Sequence, residues 1–265
     1  MIDEAGCDYS QLGYKKQNLN NGIDVFSLNV TKNNLVSNFN VGLYKIVSCK
    51  NLFIAPKHKQ NALVDILVKQ LNKLLTELKI SKKQTVLVCG LGNGEIMADS
   101  LGVEVCKKVL ATKNLKSELI HSKVSTLAPN VQTVTGISTY DIVHGVAKEI
   151  NAKLIILVDS LITNNVERVG HSFQMSSCGI VPGGAVANNK EISYTTTGIK
   201  CLTIGVPFML NLKDLSEEIN KNIIVAPKDI KQMINICSNI IASSINILFN
   251  PNLKKEEICE LLNTF

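Results

Sequence analysis

Aromatic residues make up only 5% of this 265-residue chain and tryptophan is absent, which leaves little stacking surface for a nucleic acid. The net charge is +6 with pI ≈ 8.8, but the lysines are dispersed. The excess therefore reads as a solvated surface, not as a nucleic-acid footprint. No apolar run approaches the roughly 20 residues a membrane-spanning helix needs. The opening MIDEAGCDYSQ has neither the basic nor the apolar region of a signal peptide, so a cytoplasmic location is expected. The eight cysteines (Cys7, Cys49, Cys89, Cys106, Cys178, Cys201, Cys237 and Cys259) contain no C-x-x-C pair. They read as reduced, partly buried small apolar residues. The four histidines, His58, His121, His144 and His171, lack ligand spacing such as H-E-x-x-H. Neither a metal site nor a cofactor is expected.

Against these absences stand 45% hydrophobic residues and a positive mean hydropathy of +0.16, enough for a sizeable core. No repeat, low-complexity tract or Pro/Gly linker divides the chain. It reads as one α/β unit over 1–265, with a β-rich part over 1–57 and a larger core over 58–265. Two β-like stretches, IDVFSLNV and LYKIVSCKNLFI, precede the segment NALVDILVKQLNKLLTEL, whose apolar residues recur at three- and four-residue spacing as in an amphipathic helix. TVLVCG, KLIILV and CLTIGV read as strands buried on both faces. STYDIVHGVAKEI between them reads as a helix capped by Ser138 or Thr139. Alternating strands and helices imply a parallel sheet with right-handed crossovers. Two further helices are expected near the C-terminus.

Ligands of open α/β sheets bind beyond the carboxyl ends of the strands, and two carboxylates are expected there. Asp99 follows TVLVCG and its glycine-rich turn and opens the next helix; Asp159 ends KLIILVD. Each has an ordinary reading, as a helix cap and as a turn residue. Together they have a chemical one: of two close carboxylates, one keeps a proton as acid while the other activates water. GLGNGE is not a dinucleotide fingerprint, because Glu95 stands where the last glycine would be. Its turn suits the shaping of a cleft. The loop APNVQTVTGISTYD presents a helix start to a carbonyl or oxyanion, and SCGIVPGGAVAN suits close approach of a peptide backbone.

In their order along the chain, VLVCGLGNGEIMADSLG, LAPNVQTVTGISTYDIVHG, LIILVDSLITNNVERV, QMSSCGIVPGG and IGVP resemble the germination protease family of endospore-forming bacteria. The resemblance implies a three-layer, phosphorylase/hydrolase-like α/β fold with a mostly parallel central sheet and flanking helices, shared with hydrogenase-maturation peptidases. It implies a homotetrameric endopeptidase, made as a zymogen in the forespore and spore core, that degrades small acid-soluble DNA-binding spore proteins at germination. The family's two catalytic aspartates match Asp99 of DSLG and Asp159 of DSL, with residues 58–265 as the catalytic core. Gly92, Asn93, Thr135, Gly136, Gly179 and Gly183 fall in the loops expected to hold substrate. Neither a metal, a nucleic acid nor a membrane enters this expectation.

The chain also departs from the family pattern. Ser177 and Cys178 stand where Asp-Thr is usual, and GGAVAN replaces GSGVGN. Thr163 and Asn164 replace Ser-Arg, and Asn211 replaces the aspartate after GVP. Both aspartates remain, so the expected alternatives are an active protease, a catalytically impaired binder of the same proteins, or a maturation-type peptidase of the same fold. MIDEAG begins near the expected start of a mature form, which reads either as a processed chain or as one encoded without a pro-segment.

Overall fold

The computed structural model describes residues 14–19, 22–31, 39–183, 190–214 and 223–264. Its strands are β1 (Lys15–Leu19), β2 (Ile23–Val30), β3 (Gly42–Cys49), β4 (Thr85–Gly90), β5 (Lys123–Leu127), β6 (Leu154–Thr163), β7 (Ser172–Ser176), β8 (Lys200–Asn211) and β9 (Ile224–Val225). Its helices are α1 (Lys57–Glu77), α2 (Leu101–Cys106), α3 (Gln132–Thr135), α4 (Thr139–Glu149), α5 (Tyr194–Thr197), α6 (Ile230–Phe249) and α7 (Lys255–Thr264).

The strands form one sheet in the order β1-β2-β3-β7-β8-β6-β4-β5, with β9 added on β8. β4, β6 and β8 are the apolar runs read from the sequence, and they carry the buried centre of the sheet. β5–β4, β4–β6 and β6–β8 are parallel. The other five described pairings are antiparallel, so the sheet is mixed and corrects the expectation of a mostly parallel one. The cause lies in the connections. A parallel return needs a crossover of a dozen residues or more, whereas β6 passes to β7 through only residues 164–171, and β1, β2 and β3 also follow one another without a helix.

Helices cover both faces. Along β4 and β6, Val86, Val88, Leu154, Ile156 and Val158 point to the side packed by α1, α2 and α6. Leu87, Cys89, Ile155 and Leu157 point to the opposite side, where Tyr140, Val143 and Ala147 of α4 meet them. This strict alternation is the period-2 geometry of a strand. In α1, Leu63, Leu67, Leu71 and Leu74 fall on one stripe and are all 2% exposed or less. Burial of each such leucine contributes about 1.5–3 kcal/mol. α6 is long and apolar enough by composition to span a bilayer, yet most of it lies inside the protein. There it packs against α1 and α2.

Candidate active site

Two close backbone approaches build the site. Leu91 extends the β4–β6 ladder one residue beyond β4 by donating its N–H to the carbonyl of Val158 at 2.8 Å. Asp159 is the next residue on β6. Gly92 then turns the chain with φ +99°, and a Cβ on it would strike the backbone carbonyl of Asp99 and come within 2.9 Å of Asp99 Oδ1. Only glycine accommodates both that dihedral and that contact. The residues flanking this turn therefore touch the Asp99 carboxyl on one side and adjoin Asp159 on the other.

A second pair of contacts fixes the turn from below. A Cβ at Gly90 would meet the backbone of Gly102, and a Cβ at Gly102 would lie 2.5 Å from both Leu91 N and the Val158 carbonyl. Leu101 donates its N–H to Ser160 Oγ at 3.3 Å, and Ser100 Oγ donates to the Met97 carbonyl at 2.8 Å. Neither serine hydroxyl was singled out in the sequence, although each directly follows an aspartate.

Asp99 does not open a helix as its sequence position implied. It closes a 3-10 turn, Met97–Asp99, and Ser100 occupies the cap position of α2. The carboxyl turns back instead, and Asp99 Oδ2 accepts the Asn93 N–H at 2.7 Å. Burial pushes the Asp99 carboxyl above the usual carboxylate range, and the Asn93 N–H opposes that shift. Asp159 likewise does not end its strand. It sits inside β6, 7% exposed, because Ser160 to Thr163 continue pairing with β8. Its Oδ1 accepts the Ser160 N–H at 2.9 Å. Cys89 lies on the same face, its thiol pushed well up by burial and by neighbours that include Asp159.

Thr135 and Gly136 lie at the same end of the sheet as Asp99, in the loop that follows β5 beside β4. Gly136 caps α3 with φ +70° and has open space around its α-carbon. Gly179 and Gly183 are placed differently. β7 runs antiparallel to β8, Ser176 pairs with Thr203, and the chain leaves β7 toward the beginning of β8. Gly179 there packs against Ile192 and Ser193. The register thus leads the second glycine loop away from the level of Asp159. Residues 184–188 of GGAVAN lie outside the described residues.

The positions that depart from the family pattern hold local structure. Ser177 Oγ accepts the Leu43 N–H at 2.9 Å, and the carbonyl of Cys178 accepts the Thr203 hydroxyl at 2.7 Å. Thr163 Oγ1 accepts the Asn165 N–H at 3.1 Å, and Asn211 Oδ1 accepts the Lys213 N–H at 3.2 Å. Among the described residues no three His, Cys, Asp or Glu side chains group closely enough to hold a metal ion.

Comparison with known proteins places the sequence in a family. Residues 7–217 match the family model described as germination protease. The germination protease of Priestia megaterium is 36% identical over 167 residues, which cover 60% of this chain and 45% of that protein. That of Clostridium acetobutylicum is 28% identical over 242 residues, covering 73% of this chain and 74% of that protein. The match thus spans less than half the length of the first relative. A solved [NiFe] hydrogenase maturation protease, HycI from Thermococcus kodakarensis, aligns over 66% of this chain and 97% of that one. At 16% identity and a TM-score of 0.38 that likeness is too loose to bear on fold or function. The family model covers well over half of the sequence, and the chain belongs to the germination protease family.

Proposed function

We propose that the chain is an endopeptidase that hydrolyses small acid-soluble spore proteins, with Asp99 and Asp159 sharing a proton and activating the attacking water. The observation that supports this reading most is the pair of backbone contacts at residues 91 and 92, one to the residue before Asp159 and one to Asp99. They hold two carboxylate-bearing segments together where β4 ends beside the middle of β6. Two carboxylates in a poorly solvated cleft do not both ionise readily, so the pair retains one proton over a range in which single carboxylates are charged. The ionised member draws a proton from water as it attacks the peptide carbonyl; the protonated member delivers its proton to the leaving amine. The protons belong to the pair and titrate as such.

Gly92, Asn93, Thr135 and Gly136 form the walls nearest the pair in this reading, and Gly179 and Gly183 contact substrate further along the chain. The active form is a homotetramer in the spore core. Purified chain incubated with an α/β-type small acid-soluble spore protein should give discrete fragments by mass spectrometry. Asp99→Asn and Asp159→Asn should each abolish them while preserving the far-UV circular dichroism spectrum. Full cleavage by a folded Asp159→Asn variant would sink the mechanism, and binding without cleavage by the parent chain would make it a binder of those proteins.

A further inference from the structure

We infer that the hollow between the 3-10 turn Leu52–Ile54 and the start of α6 is where two copies of this chain meet about a two-fold axis. The turn carries the chain from β3 to α1. Successive residues of a 3-10 turn project about 120° apart, so the leucine that anchors it inward leaves a neighbour pointing outward. Leu52 is 0% exposed and Ile54 is 84% exposed, the most of any large apolar residue among those described. Phe53, Ile54, Pro227 and Met233 form the apolar wall of an open hollow of about 250 Å³, which Lys228 and Asp229 also line. The wall is firm. Gly170, at φ +70°, lies directly beneath it, and a Cβ there would strike Met233 Cε and Phe53 Cζ. The His171 ring leans on Phe53 with centroids 5.0 Å apart. Ile224 of β9, 50% exposed, adds a second outward isoleucine shortly before Pro227. A lone exposed isoleucine is ordinary, whereas one beside an open apolar hollow marks a contact surface.

The charges identify the occupant. Lys228 and Asp229 are sequence neighbours of opposite sign, both exposed, and neither forms an ion pair with a described residue. Asp229 holds the N-cap position of α6, yet its carboxylate makes no capping hydrogen bond there. A partner of a single charge sign would satisfy one of these groups and oppose the other. A second copy answers both, because across a two-fold axis every contact is made twice, with the roles exchanged. Each Lys228 then faces the partner's Asp229, and each Ile54 enters the hollow of the other copy. Apolar anchors at the centre with charges around them are the usual anatomy of such a contact, and the opposite signs fix which patch pairs with which.

This surface supplies a contact for the oligomer of the proposed function and rests on that part of the reading alone; none of its residues belongs to the candidate active site. Size-exclusion chromatography with light scattering tests it. The parent chain should have a multiple of the single-chain mass, and Ile54→Asp should reduce it to half or less. Lys228→Asp and Asp229→Lys, each alone, set like charges face to face and should do the same. An equimolar mixture of those two variants should recover the parental mass, because the doubly acidic copy then meets the doubly basic one. Circular dichroism melting curves establish that each variant is folded. A monomeric parent, a folded Ile54→Asp variant of parental mass, or a mixture of folded charge variants that stays dissociated would overturn the inference. A parent that assembles and responds in this way but cleaves no spore protein would sink the protease reading and leave the contact standing.

Discussion

The N–H of Leu101 is bonded to the hydroxyl of Ser160, which ties the second residue after Asp99 to the first residue after Asp159. This contact lies at the base of the site and is almost wholly buried, with Ser160 6% and Leu101 0% exposed. Removing the hydroxyl would strand a buried N–H. Ser160→Ala is therefore expected to lower the unfolding free energy by about 1–3 kcal/mol, read from urea midpoints at unchanged m-value. A midpoint equal to the parental one would show that the tether carries no stability.

Gly92→Ala should be more disruptive locally than globally. The new methyl meets the Asp99 carbonyl, and φ +99° is a conformation alanine resists. Cleavage should drop at least as far as in the Asp99→Asn variant, and the Asn93–Asp99 hydrogen bond should open, seen as faster amide exchange at Asn93.

Asp99 links stability to pH. Its folded-state affinity for a proton is raised by burial, so its contribution is fully present below the ordinary carboxylate pKa and is lost as pH rises through the folded value. Asp99→Asn removes the buried charge and keeps an acceptor for the Asn93 N–H. The variant should melt higher than the parent at neutral pH, with the advantage shrinking in acid. A difference that grows in acid would contradict the burial effect.

The thiols offer a check on packing. Cys49, Cys89, Cys178, Cys201 and Cys237 are buried, and Cys106 is half-buried. Burial pushes Cys106 up to about 11 and Cys201 up to about 12. Since the thiolate is the reactive form, these six should react slowly with a thiol reagent at pH 8 in the native protein and rapidly in urea. Rapid native labelling of Cys89 would show that the α4 face is open.

Phe173 tests the other face. It is 0% exposed within the core under α1 and α6, so Phe173→Ala should cost about 3–5 kcal/mol. A loss well below that range, again from urea midpoints, would mean that the α1/α6 layer collapses into the space.

Much of this architecture was legible in the sequence. IDVFSLNV is β2 without adjustment, TVLVCG is β4, and the helical period of NALVDILVKQLNKLLTEL falls within α1. What escaped notice was polar or short. SFQMS, which is β7, has serine and glutamine on its inner positions, and KVSTL, which is β5, carries its lysine and serine along an edge strand. Neither offers an apolar run or an alternation strong enough to register, because pairing with neighbours decides their conformation. The mixed polarity of the sheet is likewise a property of connections that residue patterns do not encode. For the site, both aspartates were visible as carboxylates near strand ends. Their local settings were not: Asp99 turns back to Asn93 instead of capping α2, and Asp159 sits within a strand that outruns its apolar half.

The Gly90–Gly102 crossing has an evolutionary corollary. Where strand and helix meet main chain to main chain, the span between the segments bearing the two carboxylates is set by peptide geometry and owes little to the size of surrounding side chains. Such a frame tolerates drift. Side chains around it can change, as in a chain 28–36% identical to the relatives compared, whereas a side chain added at either glycine would push the two segments apart.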